Sequence, residues 1–197
     1  EITHNEAYWD GGGFKAAGNE TSVVMYNTKI NHNRAGWDGG GFKLSGYANL
    51  YFEGDSISYN VALWDGGGFK LVGWSDAVIK YATVVGDSSY YIGGGFAVEG
   101  HAELELVNSL VADNICLGGV IARDQSALIS KNERDSYDER LNGHKDPGEG
   151  GAARLAGNGY VELINTTVAH NNASLAGGGF YIGAQCDIEL WNTIIWG

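Results

Sequence analysis

The chain has 197 residues and a formal net charge of −12, with 44% hydrophobic and 18% charged residues. This length and balance predict one soluble domain with a sizeable core, and the acidic charge argues against a nucleic-acid partner, because no basic stripe is present to displace counterions from phosphates. No apolar run approaches the roughly 20 residues that span a bilayer, so no transmembrane segment is expected.

The ends of the sequence and its cysteines set further expectations. The chain begins at Glu1 without a methionine or a signal peptide and stops at Gly197 in the middle of a repeated pattern. We therefore expect residues 1–197 to be a single domain that is a segment of a larger protein. Two cysteines do not make a disulfide framework.

A seven-residue motif, Trp-Asp-Gly-Gly-Gly-Phe-Lys, organises the chain. It occupies residues 9–15 and recurs at 37–43 and 64–70, then loosens at 91–96 and returns in part at 176–180. The first three steps are 28, 27 and 27 residues, a period typical of a solenoid of stacked units.

Each repeat holds three short segments in which apolar residues alternate with polar ones, separated by Gly, Asn or Asp. In the second repeat these segments lie around Phe42, Leu50 and Ile57. They are too short for helices, and three strands with three corners describe one coil of a parallel β-helix. The sequence therefore predicts an all-β, single-stranded, right-handed parallel β-helix of about seven coils of about 27 residues.

Aligning the repeats predicts columns of stacked side chains. Two columns fill the tube: Phe14, Phe42, Phe69, Phe96 and Phe180, and Ile30, Ile57, Val84, Val111, Val168 and Ile195. A third marks a corner with left-handed backbone, where amides bond from coil to coil: Asn33, Asn60, Asp87, Asn114 and Asn171. A fourth admits only small side chains: Ala35, Ala62, Ser89, Cys116 and Ala173.

The glycine-rich motif is followed in the repeats by a second pattern, Asn-Thr/Ser-x-Ile/Val-x-x-Asn, as in residues 27–33 and 165–171. This combination resembles the right-handed parallel β-helix repeats of polymorphic outer-membrane and autotransporter-like surface proteins. The resemblance covers nearly the whole chain outside about 122–150. It implies an extracellular or cell-surface location and transfers no catalytic residue. The Trp-Asp prefix departs from the family pattern.

The charged residues of the motif form two further predicted columns. Lys15, Lys43 and Lys70 form a basic one, and Asp10, Asp38 and Asp65 an acidic one. Like charges at about 4.8 Å repel unless they are neutralised. Each Lys can compensate an Asp, Ca²⁺ can bind the Asp column as a possible cofactor, or the face is simply solvated.

The aromatic residues that open the motif, Trp9, Trp37, Trp64 and Tyr91, form another column. Their rings can stack on one another and shield the bare glycine backbone. Alternatively they form a binding strip for a sugar ring or a partner protein.

An irregular stretch interrupts the pattern. A coil begins through Ala127 and Ile129, and a charged loop follows at about 133–149. Six of its side chains are candidates for acid/base or calcium chemistry: Asp135, Asp138, Glu139, Arg140, His144 and Lys145. Otherwise the loop is solvated or packs against another subunit. Glycosylation sequons stand at Asn19, Asn165 and Asn172.

Two classes of function remain open. The first is a structural or adhesive module of a surface or filament protein, with end-to-end or lateral contacts to other subunits. The second is a polysaccharide lyase, a glycoside hydrolase or a carbohydrate-binding module, for which the loop would provide the chemistry.

Overall fold

The computed structural model describes residues 1–118 and 148–197. In these residues the chain winds through six turns, and each turn contributes to three parallel sheets. We number the sheets in the order in which a turn meets them. Sheet 1 has six two-residue strands, sheet 2 has six strands that begin at the motif Phe or its equivalent, and sheet 3 has eleven strands.

The strands have the following bounds. In sheet 1 they are β2 (Glu6–Ala7), β6 (Arg34–Ala35), β9 (Val61–Ala62), β12 (Ser88–Ser89), β16 (Ile115–Cys116) and β20 (Asn172–Ala173). In sheet 2 they are β3 (Phe14–Gly18), β7 (Phe42–Gly46), β10 (Phe69–Gly73), β13 (Phe96–Gly100), β17 (Ala153–Gly157) and β21 (Phe180–Ile182). In sheet 3 they are β1 (Ile2–Thr3), β4 (Ser22–Tyr26), β5 (Ile30–Asn31), β8 (Asn49–Ser58), β11 (Asp76–Val85), β14 (Glu103–Val107), β15 (Leu110–Ala112), β18 (Tyr160–Ile164), β19 (Thr167–Ala169), β22 (Asp187–Trp191) and β23 (Ile194–Trp196).

Strand pairing follows the sequence repeat. Phe42 pairs with Phe69, and Phe69 pairs with Phe96, each in parallel register one turn away. Neighbouring turns place residues 27 apart in sequence side by side, as for Asn33 and Asn60. The predicted all-β parallel β-helix with coils of about 27 residues is therefore confirmed.

The predicted number of coils, about seven, is one too many for the described residues. Asn114 and Asn171 are 57 residues apart in sequence but are hydrogen-bonded to each other in adjacent turns. Glu149 forms parallel bridges with Ile92 on one side and Ala176 on the other. Residues up to Gly118 and from Gly148 onward therefore belong to one turn, and the predicted coil around Ala127 and Ile129 lies outside the described residues.

The tube is filled by the predicted columns. Successive rings from Phe14 to Phe96 stack nearly parallel, with centroids 4.9 to 5.0 Å apart. The aliphatic column is buried from Ile30 to Val168. Ala153 follows Phe96 in the aromatic column and pairs with Phe180, so one ring of that column is missing.

The amide column behaves as predicted in its bonding but not in its backbone. The Nδ2 and N of Asn33 both donate to Oδ1 of Asn60, at 3.0 Å each. The left-handed residue is the one before the amide, such as His32 with φ of 52° or Tyr59 with φ of 54°. This offset leaves the amide side chain pointing into the tube, where it also binds a strand carbonyl such as Ile30 O.

Within the described ranges, no helix is long and apolar enough to cross a membrane.

Candidate functional site

The glycines of the motif permit a close approach between turns. Gly39 has φ of 66°, which side chains rarely tolerate. A Cβ added to Gly40 would lie 2.2 Å from the carbonyl oxygen of Gly67 in the next turn. The glycines are therefore explained by backbone packing.

The Asp and Lys of the motif form a continuous row of ion pairs along the solenoid, which we call the charge ladder. Nζ of Lys43 lies 2.7 Å from Oδ2 of Asp38 in its own turn and 3.1 Å from Oδ1 of Asp10 in the preceding turn. Lys70 repeats this geometry, at 2.5 Å from Asp65 and 3.2 Å from Asp38. Of the predicted alternatives, charge compensation is the one that the geometry shows.

The charge ladder becomes buried along its length. The exposed fraction of the lysine side chain falls from 44% at Lys15 to 12% at Lys43 and 7% at Lys70. Its interior is therefore a desolvated network, in which each charge depends on its partners.

A further copy of the motif, which sequence analysis missed, continues the charge ladder. Residues 149–154 read Glu-Gly-Gly-Ala-Ala-Arg, and strand pairing places Arg154 beside Ala97 of the preceding turn. Arg154 Nε lies 3.3 Å from Oε2 of Glu149, which stands where the other copies have Asp. The sequence feature that could have revealed this copy is an acidic residue followed by two glycines, with a basic residue five positions after the acidic one. The predicted loop therefore ends before Gly148.

The fourth turn lacks both charges of the motif. Ile92 replaces the Asp, and Ala97 replaces the Lys. Glu99 bridges the gap, since its carboxylate lies 3.1 Å from Nζ of Lys70 and 3.1 Å from Nη1 of Arg154. Asp and Lys are thus replaced together in this turn, and we interpret the two positions as a unit.

The pKa shifts of the charge ladder differ between its buried interior and its exposed end. Burial lowers the pKa of Lys70, but the charges of Asp65, Asp38 and Glu99 outweigh it and raise the pKa above its ordinary value. Burial, opposed by Lys70, raises the pKa of Asp65. Near the exposed end, burial also acts to raise the pKa of Asp10, but hydrogen bonds from Lys15 and Lys43 hold it below its usual value.

The candidate calcium ligands Asp10, Asp38 and Asp65 all accept hydrogen bonds from lysines. Calcium prefers six to eight oxygen ligands. In the two described ranges, no group of three or more His, Cys, Asp or Glu residues has the spacing to hold a metal ion. Calcium binding at these residues stays a prediction to which the geometry adds no support.

The aromatic residues of the motif form a stacked column. Trp37 and Trp64 are nearly parallel with centroids 5.0 Å apart, and Tyr91 follows at 4.6 Å. Trp9 is tilted by 56° against Trp37 and is 59% exposed. Because neighbouring rings stack on one another, the column fits the predicted shielding role, and Trp9 is the most exposed of its four members. Binding of a sugar or a partner here stays a prediction.

A second aromatic row lies at the opposite end of sheet 2, and sequence analysis did not identify it. Tyr47 and Trp74 are parallel at 6.3 Å, and His101 stacks on Trp74 at 4.0 Å. Each of the three follows the last glycine of a sheet 2 strand. The constant position after that glycine could have revealed the row in the sequence, but the three residues are of different types and the row was therefore missed.

Asp87 is the one carboxylic acid in the amide column. Its Oδ1 accepts from N and Nδ2 of Asn60, at 2.7 and 2.9 Å, but its buried Oδ2 has no hydrogen-bond partner in the described structure. Burial raises the pKa of Asp87 well above its ordinary value. A protonated carboxyl supplies one donor where an asparagine supplies two.

Replacing Asp87 with asparagine is expected to stabilise the fold, by an amount that increases with pH. The raised pKa means that the stability contributed by Asp87 is fully present below about pH 4 and is lost as the pH rises towards the folded-state pKa. The difference in unfolding free energy between Asp87→Asn and the natural chain should grow by up to about 1.4 kcal/mol per pH unit in that window.

Urea denaturation at about pH 4, 6 and 8 measures this difference, with the exposed Asp113→Asn as a control for charge removal. A difference that stays constant over this range would contradict a neutral Asp87.

The remaining predicted sites lie at the surface or outside the described residues. The sequons at Asn19, Asn165 and Asn172 are all exposed, and their glycosylation stays a prediction. Cys116 is a buried free thiol, as its column predicted, and burial raises its pKa to about 11; Cys186 is also free. The candidate loop residues Asp135, Asp138, Glu139, Arg140, His144 and Lys145 lie outside the described residues.

Comparison with family models matches residues 1–134 to the right-handed β-helix region. No curated protein and no solved structure gave a significant match.

Proposed function

The chain belongs to the right-handed β-helix family, and on that premise we propose that it is a structural or adhesive module of an extracellular surface or filament protein. The observation that carries the proposal is the charge ladder. It links Asp10 in the first turn to Arg154 in the fifth through ion pairs that cross each of the four boundaries between these turns.

The charged side chains that converge between turns are used for cohesion. Lys70 contacts three carboxylates, and its side chain is only 7% exposed. A catalytic group has to reach a substrate, and general acids and bases act at hydrogen-bond distance. The charge ladder therefore favours a scaffold, which presents its outer faces and corners to partners.

The surface location rests on the resemblance of the repeats to those of surface proteins. The three exposed sequons are compatible with it. In this proposal the partners are other protein subunits, which pack laterally or end to end, and glycans that meet the exposed Trp9.

The enzymatic alternative, a polysaccharide lyase or a glycoside hydrolase, depends on the six candidate loop residues. Paired carboxylates at about 5 to 9.5 Å are needed for glycoside hydrolysis. No such pair has been located, because these residues lie outside the described ranges.

Two assays test the proposal. Protease treatment of intact producing cells should cleave the protein, since an extracellular module is accessible. Incubation of residues 1–197 with polyuronates and neutral polysaccharides should yield neither unsaturated products nor new reducing ends. Protection of the protein in intact cells would contradict the location, and product formation that is lost in Asp138→Asn or Glu139→Gln would establish the enzyme instead.

A further inference from the structure

The outer face of sheet 3 changes character halfway along the solenoid. In the first three turns one outward row is apolar or aromatic (Val24, Tyr51 and Val78), and the adjacent row is mixed (Tyr26, Glu53 and Lys80). In the last three turns it carries two adjacent rows, one acidic and one apolar. The acidic row is Glu105, Glu162 and Glu189, and the apolar row is Val107, Ile164 and Trp191.

The members of each row are direct neighbours. Glu105 pairs with Glu162, and Glu162 with Glu189, in parallel register. Residues between the two rows, such as Leu106 and Leu163, are fully buried, so both rows point away from the tube. Carboxylates at about 4.8 Å repel one another, and each row repeats at that spacing.

Among the described residues, little positive charge compensates this part of the surface. Lys80 approaches Glu105 at 3.9 Å, and within the described residues no cation pairs with Glu162 or Glu189. Glu103 and Asp187 add exposed carboxylates on the side away from the apolar row. Burial and the charges of Glu162, Glu189 and Glu103 raise the pKa of Tyr160, which lies between Glu103 and Asp187.

The apolar row adds exposed hydrophobic side chains beside the acidic row. Trp191 is 56% exposed, and around the corner Ile194 is 60% exposed. A divalent cation or a polyamine would satisfy the carboxylates but would leave this row in water. A partner with both a basic and an apolar stripe covers both rows at once.

We propose that the acidic and apolar rows of sheet 3 form a docking surface for a basic amphipathic protein segment that lies along the solenoid axis. An α-helix suits this repeat. Its pitch is about 5.4 Å, and neighbouring turns of the solenoid are about 4.8 Å apart, so three successive helix turns can each lie against one of the three solenoid turns. Its basic residues face Glu105, Glu162 and Glu189, and its apolar residues cover Ile164 and Trp191. The inference goes beyond the proposed function and does not depend on where the protein is located.

The test uses a helical peptide of about four turns with Lys on one stripe and Leu on the adjacent stripe, labelled for fluorescence anisotropy. Replacing Glu105, Glu162 and Glu189 together with Gln should weaken its binding about tenfold, because three exposed charge pairs are lost. A matched triple variant, Glu6→Gln, Glu20→Gln and Asp113→Asn, makes the same change in net charge outside the acidic and apolar rows and should weaken binding by less than about threefold. Circular dichroism checks that both variants fold.

Two further binding measurements identify the kind of partner. Trp191→Ala should weaken the amphipathic peptide but leave spermine binding unchanged, since spermine has no apolar stripe. A peptide of the same composition with the two stripes scrambled should bind more weakly than the amphipathic one. Equal loss in the two triple variants, or equal binding of the scrambled peptide, would overturn the proposal, since long-range attraction would then explain the binding without a docking surface.

Discussion

Replacing Asn60 with alanine is expected to lower the free energy of unfolding by about 3–5 kcal/mol, because buried polar groups on both sides lose their partners. Oδ1 of Asn60 accepts from N and Nδ2 of Asn33, and its Nδ2 donates to Ile30 O and to Oδ1 of Asp87. Asn60 is fully buried, so water cannot replace these bonds.

Asn49→Ala is the matched control. Asn49 is exposed at the start of β8, and its loss should change the unfolding free energy by less than about 0.5 kcal/mol. Urea denaturation followed by circular dichroism measures both variants. An Asn60→Ala protein as stable as Asn49→Ala would show that the amide column does not hold the turns together.

Replacing Lys70 with alanine should cost a similar amount, about 3–5 kcal/mol, because three carboxylates lose a shared buried cation. Lys15→Ala makes the same substitution at the exposed end of the charge ladder. Since the Lys15 side chain is 44% exposed and, within the described residues, pairs with Asp10 alone, its loss should cost less than about 1 kcal/mol.

The natural sequence of the fourth turn suggests a second substitution that should offset the loss caused by Lys70→Ala. The fourth turn combines Ile92 with Ala97, so Asp65→Ile with Lys70→Ala reproduces an arrangement that the fold already accommodates. We expect the double variant to be more stable than the sum of the single changes by about 1–3 kcal/mol. Additive losses would contradict the interpretation that the two positions act as a unit.

The interior of the fold could be predicted from the sequence because a parallel register turns sequence spacing into contact. A period of 27 residues placed Phe42 beside Phe69 without knowledge of any coordinate. Charge compensation between the Lys and Asp columns was one of three interpretations that the period left open, and the contact of Lys43 with Asp10 of the preceding turn was not specified.

Other features escaped prediction because they depend on more than the period. The motif copy at 149–154 was missed because Glu, Ala and Arg replace Asp, Phe and Lys after a long interruption. The predicted number of coils included the stretch around Ala127 and Ile129, which lies outside the described residues. The protonation of Asp87 depends on burial and on an unpartnered oxygen, which sequence spacing does not report.

The turns stack in this register, and the residues before and after the undescribed range 119–147 belong to a single turn. Glu99 and Ala156 are direct neighbours across that interruption, although 57 residues separate them in sequence. Neighbouring strands in a sheet lie about 4.8 Å apart, and Cα atoms at 4.4–6.8 Å can be bridged by a disulfide.

The most direct test is therefore disulfide formation in a Glu99→Cys, Ala156→Cys protein that also carries Cys116→Ala and Cys186→Ser, analysed by mass spectrometry of digested, non-reduced protein. A second protein with Val72→Cys and Ala156→Cys, whose positions lie two turns apart, is the control. We predict a linked pair of peptides in the first protein and free thiols in the second. Free thiols in the first protein, or equal linkage in both, would contradict the stacking described above.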